Sequence, residues 1–387
     1  MSLEFSKLEK LQLAFRLIFL APWQISFNIL RSLLLSLYRG LPIQLYLTCA
    51  VIRVVLGRFS PRQIQYLSTS TRDTYKEWVA RKISRAKRAN SADVLGRLRC
   101  EIEPLEDGTS NLLWVGNRQN ARKFILFFHG GGYISPMLPG HLEWCWRAYV
   151  AAGMEAGVET AVAVLEYTLC PAAKYPVQLC QAASGLRRLL SSGIAPGDII
   201  IGGDSAGANL TAQLLCHILR PRQPAPKIDL TESLAATFMV SPWLGMRTSH
   251  ASFKENHAVD MLSATIVDKS AFELFGAELV ESDGHEPAKA PCPLDMDPSA
   301  LVGLDAVTRE LYVTAGELEV LRDHGVEFVK MVKTCNPGLN VRLDIQEKMA
   351  HDFILLEGLQ EREGAAMGEM KRWMIELLVR SRKLDSN

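Results

Sequence analysis

The sequence predicts an α/β architecture, a mostly parallel sheet of eight strands covered on both faces by helices. Three observations carry this. From about residue 95, short β-rich runs alternate with helix-length segments. Several of the runs, such as FILFF and DIII, are apolar throughout, as strands covered on both faces must be. The chain has 387 residues, 48% of them apolar, enough to fill a large core and unlike any disordered, collagen-like or coiled-coil composition.

The strands are expected at 97–104, 111–116, 123–128, 160–167, 198–202, 235–241, 310–314 and 340–346. Helices fall between them at 141–155, 177–192, 206–219 and 326–333. A final amphipathic helix over 365–380 sets Met367, Met370, Trp373, Met374 and Leu377 along one side, a core-facing stripe. Residues 249–300, rich in Pro, Asp and Glu, interrupt the rhythm and read as an insertion or lid between two strands.

The first 90 residues are different in kind. Net charge over the whole chain is +1, yet residues 1–90 carry +11 and residues 91–387 carry −10. We therefore divide the chain into a basic, apolar, helical leader (1–90) and an α/β domain (91–387). Arginines at 16, 31, 39 and 53 cut the apolar stretch 11–57, leaving uncharged runs of 14 and 13 residues, at 17–30 and 40–52. Both are shorter than the roughly 20 residues that span a bilayer. Glu4 and Glu9 precede the apolar run and no small-x-small cleavage site comes after it, which argues against a signal peptide and secretion. Snorkelling of Arg53 would lengthen the second run, so a membrane span is a third and disfavoured reading beside two that stand level. Residues 1–60 are interfacial helices with arginines at lipid headgroups, making the protein membrane-associated (endoplasmic reticulum or cytoplasmic face), or they pack over a site in a cytoplasmic protein. Nucleic acid is not an expected partner, because the basic residues sit among leucines.

The eight cysteines, with no C-x-x-C pair, read as free buried thiols, and no metal or cofactor is implied. The one N-x-S/T match, Asn209-Leu210-Thr211, falls in an expected buried helix.

Chemistry concentrates in two glycine-rich elements. The strand at 198–202 runs directly into Gly203-Asp204-Ser205-Ala206-Gly207, and a helix runs directly out. That context makes G-x-S-x-G a nucleophile elbow, with Ser205 raised on a strained turn between glycines at 203 and 207. The strand FILFF ends in His129-Gly130-Gly131-Gly132-Tyr133. Successive glycines let N–H groups converge on one point, so Gly131 and Gly132, with Ala206, are the candidate oxyanion donors. His129 and Gly130 then shape the loop, His129 as a structural hydrogen bonder. A serine needs a base and an acid, and after an elbow of this kind the chain order is Ser, acid, His. His351 alone comes after the last strand in a short loop. His324 begins a helix and reads as a surface or capping residue. Glu317, Glu319 and Asp323 all come after the strand at 310–314, and composition does not choose among them.

Together these residues resemble the hormone-sensitive lipase (GDXG lipolytic) family of α/β-hydrolases. The resemblance covers about residues 95–380 through HGGGY (129–133), EYTLCPAAKYP (166–176), GDSAGAN (203–209), SPW (241–243), Ser252, Asn256 and Asp260, and AHDF (350–353). It implies an α/β-hydrolase fold capped by the N-terminal region and by the insertion after SPW. Aligning TAGELEVLRD with the family's acid loop implies Glu319 as the acid, a departure from the usual Asp, with Asp323 as the rival. The leader also looks like that of fungal steryl-acetate hydrolases. The function these likenesses imply is that of a serine carboxylester hydrolase removing a short acyl group from a hydrophobic sterol, terpenoid or polyketide, in fungal secondary metabolism. The alternatives are an arylamide deacetylase or acyltransferase on the same residues, or a non-catalytic receptor on a hydrolase scaffold.

Overall fold

The apolar runs become the strands of a single sheet in the computed structural model, which describes residues 5–277 and 292–385. The eight strands are β1 (Ile102–Pro104), β2 (Asn111–Val115), β3 (Lys123–Phe128), β4 (Thr160–Glu166), β5 (Ile199–Asp204), β6 (Ala236–Val240), β7 (Glu310–Gly316) and β8 (Asn340–Gln346). They are ordered β1-β2-β4-β3-β5-β6-β7-β8; β2 pairs antiparallel with both of its neighbours, β1 and β4, and all the other pairs are parallel. Strands β2, β3, β5, β6 and β7 are buried at every residue, as their unbroken apolar character requires, whereas the edge strand β8 is half-buried.

In the register of β3 with β5, Phe128 lies opposite Gly203, so the two glycine-rich elements leave the sheet side by side. The core beneath them is aromatic. Phe127, Trp144, Phe238 and Trp373 pack within ring-contact distance, and the stripe of the last helix, Ala365–Asp385, buries Met367, Met370 and Met374 as expected.

Two expectations are corrected. The strand expected at 97–104 shrinks to Ile102–Pro104, because Ala92–Arg97 forms a helix whose last residue is held by Glu159. The cysteines are free but not all buried, since Cys100 is exposed. Three of the four arginines that cut the leader's apolar stretch bond to backbone carbonyls of the protein, while Arg39 is exposed. Arg16 donates to the carbonyl of Arg58 (2.8 Å), Arg31 to that of Ala258 (3.0 Å), and Arg53 to those of His257 and Asp260 (2.7 Å each).

The leader is wholly helical from Lys7 up to the loop at 40–42. Lys7–Phe15, a π turn at Arg16–Leu20 and Ala21–Arg39 run on as one helix, and the widened turn admits Pro22 at the start of the third piece. Gly40, at φ +62°, closes it, and Pro42 precedes the helix Ile43–Arg58. Between β6 and β7 the insertion contributes Ala251–Asn256 and Ala264–Phe275. Residues 278–291 of the expected lid, 249–300, lie outside the described residues.

Candidate active site

Ser205 stands between β5 and the helix Ala206–Leu219 at φ +51°, ψ −113°, a conformation that costs a non-glycine residue on the order of 1–3 kcal/mol. Its glycines explain how the turn is accommodated. A Cβ at either Gly203 or Gly207 would collide with the carbonyl oxygen of Phe128, so both must be glycine for the elbow to sit against β3. The Ser205 hydroxyl lies 2.8 Å from His351 Nε2. His351 comes after β8, and Glu319 after β7, so three strand ends converge on one point.

Of the three candidate acids, one faces the imidazole. Glu319 Oε2 is 3.5 Å from His351 Nδ1, both side chains are fully buried, and neither that carboxylate nor that nitrogen makes another hydrogen bond. Glu317 instead accepts from the Lys348 N–H (2.9 Å), and Asp323 accepts from the Ser252 N–H (2.8 Å) and pairs with Arg322. The acid loop is held from behind. Ser252 donates to the Val320 carbonyl (2.6 Å), Asn256 to that of Glu319 (2.9 Å), and Asp260 accepts from the N–H groups of Val320 (2.7 Å) and His351 (3.1 Å). The three insertion residues singled out in the sequence thus tie acid loop and histidine loop together.

The HGGG loop lies over the serine. Gly131 and Gly132 have φ +109° and +60° and border the same cavity as Ser205 and His351, and neither N–H donates to another described group. Ala206 is the first residue of the helix after the elbow, where helix N–H groups are unpaired. Gly130 donates to Asp204 Oδ1 (3.1 Å), and a Cβ at Gly130 would strike that carboxylate. Asp204 Oδ2 in turn takes His141 Nε2 (3.1 Å). Tyr133 is fixed through its hydroxyl to Asn209 Oδ1 (2.8 Å), which also accounts for the N-x-T match as a buried structural residue. A serine poised on an imidazole, an acid behind it and unpaired N–H groups above it can carry out nucleophilic acyl transfer.

A family model described as an alpha/beta hydrolase fold matches residues 125–355, more than half of the chain. The chain belongs to the α/β-hydrolase fold family. It is 30% identical over 212 residues to an acetyl-hydrolase of Streptomyces hygroscopicus, covering 54% of this chain and 62% of that protein. A carboxylesterase of Mycobacterium tuberculosis is 24% identical over 294 residues, covering 72% of this chain and 84% of that one. The fold also superposes on a bacterial esterase of the hormone-sensitive lipase family with TM-score 0.60 at 21% identity, over 87% of this chain and 99% of that structure. The resemblance read from the motifs holds at the level of family and fold.

In this α/β-hydrolase three further histidines near the site are fully buried, and burial shapes how each one titrates. His129 stacks on Tyr167 (4.4 Å between ring centres), and burial pushes its pKa down to about 4, which fits the structural role expected. His324 is not a surface residue. It is fully buried, takes the Leu244 N–H (3.3 Å), and burial lowers it to about 3, since the helix Arg322–Cys335 turns inward where capping was expected. Burial opposes protonation of His141, but the Asp204 carboxylate outweighs it and raises the pKa. For His351 burial again opposes, and Asp352 and Glu319 raise it.

Two of these neighbours were missed. His141 carries no motif, and its value arises only from the proximity of the helix Pro139–Trp144 to β5. Asp352 was visible in AHDF beside His351, but nothing in the sequence says which way it turns.

Proposed function

We propose that the protein is a serine carboxylester hydrolase that removes a short, acetyl-like acyl group from a hydrophobic alcohol. Ser205 attacks the acyl carbon, and its proton passes to His351 Nε2. Glu319 orients the ring and stabilises its charged form. The N–H groups of Gly131, Gly132 and Ala206 hold the oxyanion, each at a value of about 3 kcal/mol. His351 returns the proton to the leaving alcohol, and water then cleaves the acyl-enzyme by the same route. The observation that carries this is the 2.8 Å contact between Ser205 and His351 on a strained elbow under the glycine loop.

Cavity dimensions support the short acyl group. The space above Ser205, walled by Ile52, Leu56, Trp243, Ile266 and Leu355, is about 80 Å³, room for roughly half a dozen waters. An acyl group of a few carbons fits there, and a sterol-, terpenoid- or polyketide-sized alcohol has to lie in the mouth. Acetates of fungal secondary metabolites are the substrates we would test first. Ser205→Ala should abolish p-nitrophenyl acetate turnover with the circular dichroism unchanged, and retained turnover would overturn the mechanism. Parallel assays on an ester and its matching anilide separate this reading from a deacetylase acting on amides.

We also infer that residues 1–60 meet a membrane surface. The helix Lys7–Arg39 has the length and composition of a span, yet its inner face is packed on the helix Ile43–Arg58, which favours lying flat. Its outer face exposes Leu8, Leu11, Phe15, Phe19, Trp23, Phe27, Leu30, Leu34 and Leu37 at helical spacing, a stripe about 45 Å long. Contiguous apolar surface on that scale marks an interaction face. The +11 charge of residues 1–90 suits anionic headgroups.

A further inference from the structure

Asp352 is a buried carboxylate that the triad does not use. It is the N-cap residue of the helix Phe353–Leu359, where an aspartate ordinarily accepts from the first turn, yet its side chain makes no capping bond. Its backbone is held in the left-handed region (φ +53°), and its N–H donates to Ser241 Oγ (3.1 Å), itself on a residue at φ +47°. Two strained residues bonded to each other turn the carboxylate away from the helix and toward the imidazole. Asp352 Oδ2 lies 3.3 Å from His351 Nε2, while Oδ1 is buried without a partner and the residue borders the cavity.

The contact is on the reacting nitrogen. Glu319, on the other nitrogen, is farther at 3.5 Å and makes no hydrogen bond. We propose that Asp352 is a second carboxylate partner of the base, stabilising at Nε2 the positive charge that the imidazole gains when it takes the proton of Ser205. This rests on the triad reading above. The Ser205 proton moves to Nε2 as the Oγ–acyl bond forms, stays on Nε2 beside Asp352 Oδ2, and leaves with the alcohol oxygen when the acyl–oxygen bond breaks. Asp352 takes no proton in the cycle.

Burial raises the Asp352 carboxyl above the usual carboxylate range, and the neighbouring His351 pulls it back toward the ionised form. The other titratable groups facing this pair are Glu319 after β7, Asp260 in the insertion, Asp204 at the end of β5, His141 from Pro139–Trp144 and the Cys49 thiol from Ile43–Arg58. All stay in place when Asp352 is changed to its isostere.

An adjacent carboxylate favours the charged imidazole and holds its pKa up. The base works only when neutral, so removing that carboxylate moves the acidic limb of activity to lower pH. The test is Asp352→Asn, read in two ways against pH: the rate of Ser205 labelling by a fluorophosphonate, and kcat/KM for p-nitrophenyl acetate. We expect both acidic limbs to move down by about one pH unit, with the plateau rates lowered about tenfold. An unmoved limb overturns the proposal whatever happens to the plateau, because a purely structural defect lowers rate without shifting titration. Labelling without ester turnover would instead overturn the esterase reading and leave this one standing. If Asp352→Asn does not fold, Glu319→Gln reads the same pair from the other side. With Asp352 sharing the charge its labelling rate falls far less than the ~10⁴-fold that loss of a sole triad acid costs, and a loss of that full size overturns the proposal.

Discussion

The helices Lys7–Arg39 and Ile43–Arg58 are alike as sequence, both rich in Leu and Ile and both interrupted by arginine, and they have opposite surroundings. The first turns a stripe of aromatic and aliphatic side chains outward, Trp23 at 74% exposure and Tyr38 at 88%. The second buries Leu45, Tyr46, Cys49, Ala50 and Val54, and brings Ile52 and Leu56 to the wall of the cavity over Ser205. The second is also bonded to the site. Tyr46 donates to the Lys348 carbonyl (3.0 Å) in the histidine loop, and Lys269 of the insertion donates to the Leu56 and Phe59 carbonyls (3.1 and 2.6 Å). The outward-facing helix and the helix that walls the cavity are therefore consecutive in the chain, and only the second is bonded to the histidine loop.

The sharpest way to break that division is the same change on both helices. Ile52→Glu puts an unpaired carboxylate into an apolar wall, which costs several kcal/mol or forces the wall open. We expect kcat/KM for p-nitrophenyl acetate to fall on the order of 100-fold or more. Leu34→Glu, on the outer stripe, should leave it within about twofold. Steady-state kinetics on the two proteins decide the matter, and equal effects would erase the distinction.

A smaller effect comes from the arginines. Arg53 satisfies the carbonyls of His257 and Asp260, and the Asp260 side chain accepts from the N–H of His351. Arg53→Met strands those acceptors and loosens the histidine loop at one remove. A cost of about 1–3 kcal/mol corresponds, in a chain of this size, to a fall in melting temperature of roughly 1–4 °C, and we expect kcat to drop about tenfold. Arg16→Met, which loosens only the outer helix from Arg58 and Gln63, should lower melting temperature by less and leave kcat unchanged. Calorimetry beside kinetics distinguishes the two.

The α/β domain was legible because most of its strands are covered on both faces, so β3 and the helix Ala206–Leu219 that leaves the elbow were bounded to the residue by their apolar runs. Ser205 and His351 were legible because each needs a local context, strand-turn-helix or last-strand loop. The acid was not, since Glu317, Glu319 and Asp323 share one loop and differ only in which way the backbone aims them. The Asp204–His141 pair escaped for the same reason: it joins residues 63 apart through tertiary packing. The bonds of Arg16, Arg31 and Arg53 to backbone carbonyls were not legible either, because composition records charge and not which carbonyls lie within reach.

The smallest change in catalysis should accompany the largest change in location. Trp23→Glu combined with Phe27→Glu alters two side chains that are 74% and 58% exposed, so the fold loses almost no buried area, and melting temperature should stay within about 1 °C. Turnover of a water-soluble ester should be unchanged. On a membrane the same two changes replace aromatic interface anchors with carboxylates that anionic headgroups repel. Co-sedimentation with phosphatidylserine-containing vesicles should hold for the unaltered protein, weaken with added salt as the +11 leader is screened, and be lost in the variant. If both proteins sediment alike, the stripe does not face lipid. If the variant differs instead by losing a concentration-dependent dimer, the stripe faces a second copy of the chain, and the outer helix is an assembly surface laid over the inner one.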